Sequence, residues 1–317
     1  MEKENPIVSI IIPIYNMQNY IDECIESILV QTFKSWELVI IDDGSTDDSL
    51  SICVSYAKKE KRIKVIHQEN AGVSVARNVG IKVSVGTYIV FVDADDILPA
   101  KSIECRVSLM EHSDMGIAGY ECFGEDTVLE EKMPKCTRLF WNRKDAIENI
   151  LLSGEIGYQG YLWNKIFLRL LIIKNEIWFQ NGILYNEDRL FVIHYVMHCN
   201  KIRLTDNVVY YYRRNPNGAM GGLKTMKDEN YDRVMTEFEA YSIMCNMMNQ
   251  YDINLYYKCA ENAMYRALNL YQLVDKREKC LRRALWKKIK EYGFFSFQGD
   301  FSLMKKIKIL GHILLRR

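Results

Sequence analysis

The first hundred residues alternate short runs of β-branched apolar residues with longer amphipathic segments, and this alternation limits the possible folds. The short runs, which have the length of buried strands, lie at residues 8–13, 37–41, 63–68 and 87–92. The segments between them, which have helical spacing, lie at residues 20–31, 47–60 and 73–85. Alternating strands and helices are typical of a mostly parallel sheet with right-handed crossovers. The sequence therefore predicts an α/β domain in which helices flank the sheet.

Residues of types that favour helix ends flank two of these helices. Asp47 or Ser45 is the candidate N-cap of the second helix, because short polar side chains accept hydrogen bonds from free N–H groups there. Gly86 is the candidate end of the third helix.

After residue 114 the alternation becomes less regular. Residues 115–123 and 202–212 favour strands, and residues 186–199 favour a helix. Residues 158–171 are aromatic and follow no clear period. The α/β pattern therefore continues, with less regular connections.

The chain changes character after the turn signal NPNGAMGG. Residues 228–292 contain no proline and are rich in Tyr, Met, Leu, Lys and Glu, which predicts two or three helices. We place a domain boundary near Gly222, between an α/β domain at residues 1–222 and a helical region at residues 223–317.

The composition excludes several classes of protein. The 317 residues carry a formal net charge of +1, so overall charge gives no reason to expect nucleic-acid binding. The N-terminal sequence does not resemble a signal peptide, and no stretch approaches the roughly 18 apolar residues that cross a bilayer. The nine cysteines form no CxxC pair and lie mostly in apolar segments, which predicts buried thiols in a reduced, cytoplasmic protein.

The final segment, residues 301–317, is basic and amphipathic. It carries five Lys or Arg and no acid, with Leu and Ile on one helical face. One interpretation is peripheral binding to an anionic membrane surface. The alternative is a terminal helix that packs its apolar side on the protein.

Polar and acidic residues follow each predicted strand of the first hundred residues. The segments, in chain order, are Ile14-Tyr15-Asn16, Asp42-Asp43-Gly44-Ser45, Glu69-Asn70-Ala71-Gly72 and Asp93-Ala94-Asp95-Asp96. Ligands of open parallel sheets bind beyond the carboxyl ends of the strands. The sequence therefore predicts a polar binding site at this edge of the sheet.

Asp93 and Asp95 are the most informative of these residues. Clustered carboxylates repel each other unless a cation lies between them, and oxygen ligands suit Mg²⁺ or Mn²⁺. Such a cation can bridge to a diphosphate. The alternative is an Asp-rich turn that is solvated and precedes a helix.

The segment Asp42-Asp43-Gly44-Ser45 and Arg77 are candidates for nucleotide binding. A carboxylate at a strand end can accept the imide N–H of a uracil ring, and Gly44 lets the backbone approach closely. The alternative for this segment is an Asx turn and N-cap before the helix, and both roles can hold together. Arg77 can bind a phosphate or a base carbonyl, or it can form a structural salt bridge to Asp42 or Asp43.

Four segments together resemble the family 2 glycosyltransferases, which have the GT-A fold: VSIIIPIYN, QTFKSWELVIIDDGSTDDS, NAGVSVARNVGI and GTYIVFVDADD. The resemblance covers roughly residues 7–100. It implies a donor half at about residues 1–100 and an acceptor half at about 101–222. It implies a Rossmann-like, mostly parallel sheet flanked by helices, with a C-terminal helical region. It also implies a nucleotide pocket lined by Pro13, Tyr15, Asp43, Asn70 and Arg77. Asp93 would then lie near the ribose and the metal, and Asp95 would be the principal metal ligand.

Two later segments, WNKIF at residues 163–167 and NEDRLF at 186–191, resemble acceptor-side segments of the same family. By this resemblance Asp188 is the catalytic base and Glu187 the reserve candidate. On local grounds alone, an acid-rich helix N-terminus fits both residues equally well. The segment YYRR at 211–214 resembles a motif often followed by a serine, but Ala219 stands here, so a hydroxyl contact is in doubt.

The resemblance implies an inverting glycosyltransferase, which would move a hexosyl or N-acetylhexosaminyl group from a UDP-sugar to a glycan hydroxyl with Mn²⁺ or Mg²⁺. Relatives of this size often build bacterial surface polysaccharides on lipid-linked acceptors at the inner face of the membrane. Two alternatives are an inactive nucleotide-sugar-binding protein and a sugar nucleotidylyltransferase. The first would be favoured by loss of the metal aspartates, and the second by a Gly-rich loop that IPIYNMQNY lacks. Nothing in the sequence indicates the oligomeric state.

Overall fold

The computed structural model describes residues 6–124, 139–152, 160–214, 231–299 and 311. Its strands are β1 Val8–Ile14, β2 Trp36–Asp42, β3 Ile63–His67, β4 Tyr88–Phe91, β5 Met115–Phe123, β6 Phe140–Trp141, β7 Lys165–Leu168 and β8 Ile202–Arg213. Its helices are α1 Ile21–Leu29, α2 Ser49–Lys59, α3 Val73–Val83, α4 Ser102–Leu109, α5 Arg143–Leu152, α6 Arg169–Lys174, α7 Glu187–Val196, α8 Tyr231–Tyr251, α9 Ile253–Leu273 and α10 Lys279–Phe297. The strands form one sheet in the order β3-β2-β1-β4-β7-β5-β8-β6.

The first four strands are parallel and correspond to the four apolar runs of the sequence. In β1, Val8 pairs with Trp36 of β2 on one side and with Tyr88 of β4 on the other. All seven residues of β2 are buried, which explains why its sequence, apart from Glu37 and Asp42, is apolar without alternation. The predicted α/β fold is therefore confirmed in this part of the chain.

Both predicted helix ends are wrong in detail. The second helix begins at Ser49, and Asp47 accepts the backbone N–H groups of Ser49 and Gln18 rather than occupying the N-cap position, while the Ser45 hydroxyl accepts the N–H of Asn16. These bonds link the loop after β1 to the loop after β2. The third helix ends at Val83, and Gly86 instead allows close packing, because a Cβ there would lie 2.7 Å from the backbone nitrogen of Ser9.

The short strand β7 is the main departure from the predicted topology. It runs antiparallel between β4 and β5, with Phe167 opposite both Ile89 and Met115. Sequence reasoning missed it because four residues within an aromatic, irregular segment give no recognisable period. The sheet is therefore mostly parallel with antiparallel insertions.

The three C-terminal helices confirm the predicted helical region and pack on the rest of the protein. One continuous core contains Phe91 of β4, Phe191 of α7, Leu255 of α9 and Leu285 of α10. The boundary predicted near Gly222 lies outside the described residues, as does all of the basic segment 301–317 except Gly311. Across the described ranges, each helix is too short or too polar to cross a lipid bilayer.

Candidate active site

The carboxyl ends of β2, β1 and β4 lie side by side, and each carries residues that the sequence predicts for the site. Pro13 is in β1 opposite Ile41, and Tyr15 follows β1 with nearly half of its side chain exposed. Asp43 follows β2 and Asp93 follows β4. The sheet order therefore brings the motifs that are separate in sequence to one edge.

Asp43 is buried and organises the loop before α3. Its Oδ1 accepts the Gln68 side-chain amide at 2.7 Å and the Ala71 N–H at 2.9 Å. Its Oδ2 accepts the Gly72 N–H at 2.8 Å. The carboxylate thus fixes the loop that contains Asn70, whose side chain is exposed.

Gly44 is required where this loop approaches β2. Its φ of +77° is in the left-handed region, and a Cβ there would lie 2.8 Å from the backbone nitrogen of Asn70. The two loops therefore touch at a point that only glycine fits.

The turn that contains Asp93 and Asp95 is held by β8. The Asp93 N–H donates to the Tyr210 hydroxyl at 3.0 Å, and the Arg213 guanidinium donates to the Asp95 carbonyl at 2.7 Å. Both aspartate side chains are partly exposed. No group of three or more His, Cys, Asp or Glu able to hold a metal ion occurs in the described residues.

The neighbouring Asp96 is buried and supports the same turn. It accepts the Tyr210 hydroxyl at 2.7 Å and the Arg213 N–H at 2.6 Å. Burial, with the nearby charges of Asp93 and Asp95, raises the pKa of Asp96 to about 9. Asp96 is therefore a structural member of the cluster.

Arg77 connects the two acidic motifs. Its Nη1 donates to Glu187 Oε1 at 3.0 Å, and its Nη2 lies 3.4 Å from Asp93 Oδ1. The guanidinium is buried and lies 5.4 Å from the ring centroid of Phe179. The alternative of a salt bridge to Asp42 or Asp43 is wrong, because Asp42 pairs with His67 and Asp43 binds its own loop.

Glu187 and Asp188 begin α7, where the helix N-terminus favours negative charge. Burial and the adjacent charge of Asp188 raise the pKa of Glu187 to about 7, although Arg77 opposes this rise. Burial also raises the pKa of Asp188, again opposed by Arg77. Asp188 Oδ1 accepts the Arg189 N–H at 2.7 Å. Two carboxyl groups with raised pKa values therefore lie near Arg77, which also contacts Asp93.

The segment around Trp163 packs on Tyr210, whose hydroxyl accepts the Asp93 N–H. Trp163 stacks on Tyr161 and on Tyr210, with ring centroids 4.7 Å apart in each pair. Lys165 is fully buried and donates to the Tyr161 carbonyl and to Asn164 Oδ1. Burial lowers the pKa of Lys165 to about 7. These buried residues support the site through packing and hydrogen bonds.

Sequence reasoning missed the contributions of Tyr210 and Asn186. Tyr210 belongs to a strand with several tyrosines, so its sequence gives no sign that its hydroxyl reaches Asp93 and Asp96. Asn186 has a positive φ of 64°, a conformation in which asparagine is enriched, and this is a weak signal that could have drawn attention to it.

Comparison with known proteins identifies the family. The sequence profile of Glycosyl transferase family 2 matches residues 9–169, about half of the chain. The uncharacterized glycosyltransferase YibD of Escherichia coli (strain K12) is 30% identical over 284 residues, which cover 87% of this chain and 81% of YibD. The uncharacterized glycosyltransferase EpsJ of Bacillus subtilis (strain 168) is 34% identical over 215 residues, or 67% of this chain. That match spans 62% of EpsJ, less than two thirds of its length.

Solved structures share the fold at low sequence identity. S. aureus TarS 1-349 superposes with a TM-score of 0.70 at 22% identity, covering 90% of this chain and 80% of that one. The same TarS fragment in complex with UDP-GlcNAc gives 0.61 at 21% identity, covering 92% and 89%. The mannosyltransferase PcManGT from Pyrobaculum calidifontis, in complex with GDP-Man and Mn²⁺, gives 0.53 at 15% identity, covering 99% and 87%. The sheet order, the flanking helices and these matches together give the chain a GT-A-like fold, and the chain belongs to glycosyl transferase family 2.

Proposed function

We propose that this glycosyltransferase moves a hexosyl or N-acetylhexosaminyl group from a UDP-sugar to a hydroxyl of a glycan, with inversion at the anomeric carbon. The observation that carries the proposal is the contact of Arg77 with both Asp93 and Glu187. This contact joins the strand-end aspartates to the acid pair of α7. A transferase needs both sets, one for the leaving diphosphate and one for the attacking hydroxyl.

On the donor side, Pro13, Tyr15, Asp43, Asn70 and Arg77 would line the nucleotide pocket. Asp43 would both hold the loop before α3 and bind the base. Three donors already engage its carboxylate, and a carboxylate offers about four acceptor sites. One site is then available for the imide N–H of uracil. The TarS structure with UDP-GlcNAc supports a uridine donor by its fold alone.

Asp95, with Asp93, would hold a Mn²⁺ or Mg²⁺ ion. Their partly exposed carboxylates, on a turn fixed by Tyr210 and Arg213, suit a hard cation that takes its other ligands from the diphosphate and water. A bound cation supplies neutralisation of the charge that develops on the leaving diphosphate. The Mn²⁺ in the PcManGT complex supports this choice of metal.

Asp188 would be the general base, and Glu187 the reserve candidate. The carboxylate of Glu187 is engaged by Arg77, which favours a positioning role for it. A base must lie within hydrogen-bond reach of the acceptor hydroxyl and must be deprotonated when the bond forms. The raised pKa of Asp188 makes it a better proton acceptor than an ordinary aspartate.

The biological setting follows from the resemblance to enzymes of bacterial surface polysaccharide synthesis. We infer a glycan acceptor, which can be lipid-linked, at the cytoplasmic face of the cell membrane. The basic segment 301–317 would supply a peripheral contact with that membrane.

Hydrolysis of UDP-sugars with added Mn²⁺ tests the proposal, because a transferase can pass its sugar slowly to water. We expect one UDP-sugar to raise the melting temperature and to be hydrolysed by the wild type. Stabilisation by UDP-sugars without any hydrolysis or transfer would indicate an inactive binding protein. Release of pyrophosphate from UTP and a sugar phosphate would indicate a nucleotidylyltransferase.

A further inference from the structure

The C-terminal helices hold the loop that leads into α7. Thr236 Oγ1 of α8 accepts the backbone N–H of Leu184 at 3.1 Å. One residue later in α8, Glu237 Oε1 accepts the side-chain amide of Asn186 at 3.1 Å. The residue directly before Glu187 is therefore bound to a different part of the chain.

Glu237 is itself fixed from α9. Arg266 Nε donates to Glu237 Oε1 at 2.8 Å, and Arg266 Nη2 donates to Oε2 at 3.1 Å. The Glu237 side chain is only 6% exposed. A bidentate pair of this kind gives the carboxylate one orientation, and Asn186 binds to it in that orientation.

Asn186 has the geometry of a residue that sets the direction of the chain. Its φ of +64° lies in the left-handed region, and its carbonyl accepts the N–H of Leu190 at 2.9 Å. Its side chain does not cap its own helix and donates to Glu237 instead. Hydrogen bonds thus fix the conformation of both the backbone and the side chain of Asn186, directly before Glu187 and Asp188.

A second bond holds α7 just after the acid pair. Arg189 Nη1 lies 3.3 Å from the hydroxyl of Tyr241, which is four residues after Glu237 and on the same face of α8. Glu187 and Asp188 therefore lie between two residues that are each bound to α8.

We propose that Glu237 is a positioning residue for catalysis, which orients Glu187 and Asp188 through its hydrogen bond to Asn186. The inference rests on the proposed function in that Asp188 is taken as the base. On the other side of the acid pair, Arg77 joins Glu187 to Asp93. The C-terminal helices thus act on the reaction at a distance, and a misplacement of about 1 Å can lower turnover on the order of 100-fold.

Two variants separate this role from general stability. Glu237→Gln removes the charge and the bidentate pair with similar side-chain volume. Asn186→Gly removes the side-chain amide but accepts the positive φ, and it leaves the Glu237–Arg266 pair intact. Glu148→Gln is the matched control, because Glu148 pairs with Lys258 at 2.7 Å, away from this loop.

For wild type and variants, kcat of UDP-sugar hydrolysis with Mn²⁺ and the Kd of UDP with Mn²⁺ are measured. We expect each of Glu237→Gln and Asn186→Gly to lower kcat by roughly 10- to 100-fold. The Kd of UDP should change by less than about twofold. The kcat of the double variant should fall no further than that of the more impaired single variant, because the two residues act through each other. Glu148→Gln should keep the wild-type kcat.

An unchanged kcat, a parallel rise in the Kd of UDP, or additive losses in the double variant would each overturn the positioning role. Hydrogen exchange of the amides of residues 185–190 gives a readout that needs no activity. We expect faster exchange in Glu237→Gln and Asn186→Gly than in wild type and Glu148→Gln. Unchanged protection in the variants would refute the positioning role, whether or not the wild type hydrolyses a UDP-sugar. Absence of hydrolysis by the wild type would instead count against the proposed function.

Discussion

Arg77 and Glu187 lie 110 residues apart in the sequence, yet Arg77 Nη1 donates to Glu187 Oε1 at 3.0 Å. The two side chains are 8% and 15% exposed, so the pair lies almost out of solvent. Because Arg77 also contacts Asp93, one guanidinium connects the end of β4 to the beginning of α7. The site therefore depends on the correct packing of these two elements.

Replacement of Arg77 by methionine should lower both stability and nucleotide binding. Breaking a buried ion pair from one side leaves the partner charge unpaired, which costs about 3 kcal/mol. Urea unfolding measures the loss. Arg277→Met is the control, because Arg277 and Asp275 pair at the exposed surface, and its unfolding midpoint should match wild type. Equal midpoints for the two variants would contradict a structural role of the buried pair.

Asp188→Asn should lower turnover by roughly 10²- to 10⁴-fold, the contribution typical of a general base. Binding of UDP with Mn²⁺ should change little, because the donor contacts lie at the strand ends. Glu187→Gln should cost less, since the amide can still accept a hydrogen bond from Arg77. Steady-state hydrolysis of the UDP-sugar measures both variants. Normal turnover in Asp188→Asn would make the assignment of the base wrong.

The rate should fall on the acid side at a pH above the ordinary aspartate range. Burial raises the pKa of Asp188, and a base that is protonated cannot accept the hydroxyl proton. A profile of kcat against pH measures this limb. An acid limb near pH 4 in the wild type would contradict the raised pKa.

The same shifts predict how stability depends on pH. The pKa of Glu187 is raised in the folded state from its ordinary value of 4.5 to about 7, so the folded state binds its proton more tightly than the unfolded state. Its contribution to stability is therefore present below pH 4.5 and is lost as the pH rises through about 7. Glu187→Gln should flatten this part of the stability profile in urea unfolding between pH 5 and 8. A profile as steep as that of wild type would argue against the assignment.

Asp95→Asn should abolish the stabilisation that UDP and Mn²⁺ give together. A ligand at about 100 times its Kd stabilises by roughly 2.7 kcal/mol, so its loss is visible as a missing rise in the melting temperature. The melting temperature without ligand should stay at the wild-type value, because the Asp95 side chain is partly exposed. Asp206→Asn, at an exposed position, should keep the full response. A normal response in Asp95→Asn would remove this residue as a metal ligand.

Asp43→Asn should weaken UDP binding by about tenfold or more. The amide group cannot accept on both sides, so either Gly72 or Ala71 loses a charged acceptor, and such bonds contribute about 1.5–3 kcal/mol. Fluorescence titration with UDP measures affinity, and hydrogen exchange at residues 70–73 should rise in parallel. Asp48→Asn, a change at the exposed residue directly before α2, should leave both measurements unchanged.

The sequence predicted the strand ends well because their physics is local. Buried parallel strands such as β2 are nearly continuous apolar runs, and their polar successors Asp43 and Asp93 must lie at one edge once the strands are parallel. The helix that begins at Glu187 was also predicted, and its first turn carries the two acids.

Contacts between distant segments could not be predicted in this way. The partners of Arg77 come from residues 16 and 110 positions away, whereas the salt bridge considered from the sequence was to Asp42 or Asp43. Asn186 meets Glu237 across 51 residues, and only packing of the C-terminal helices brings them together. These choices depend on tertiary structure, which residue types and spacing do not specify.

Strand β7 follows β5 in the sequence but lies between β4 and β5 in the sheet. A fragment that ended near residue 110 would leave Tyr88 and Ile89 without their partners Leu168 and Phe167, and a bare apolar edge of this kind associates with other strands. Chimaeras that exchange acceptor specificity within the family should therefore take their crossover after residue 168. The segment that can be exchanged between relatives is therefore limited by strand pairing and not by the order of motifs along the chain.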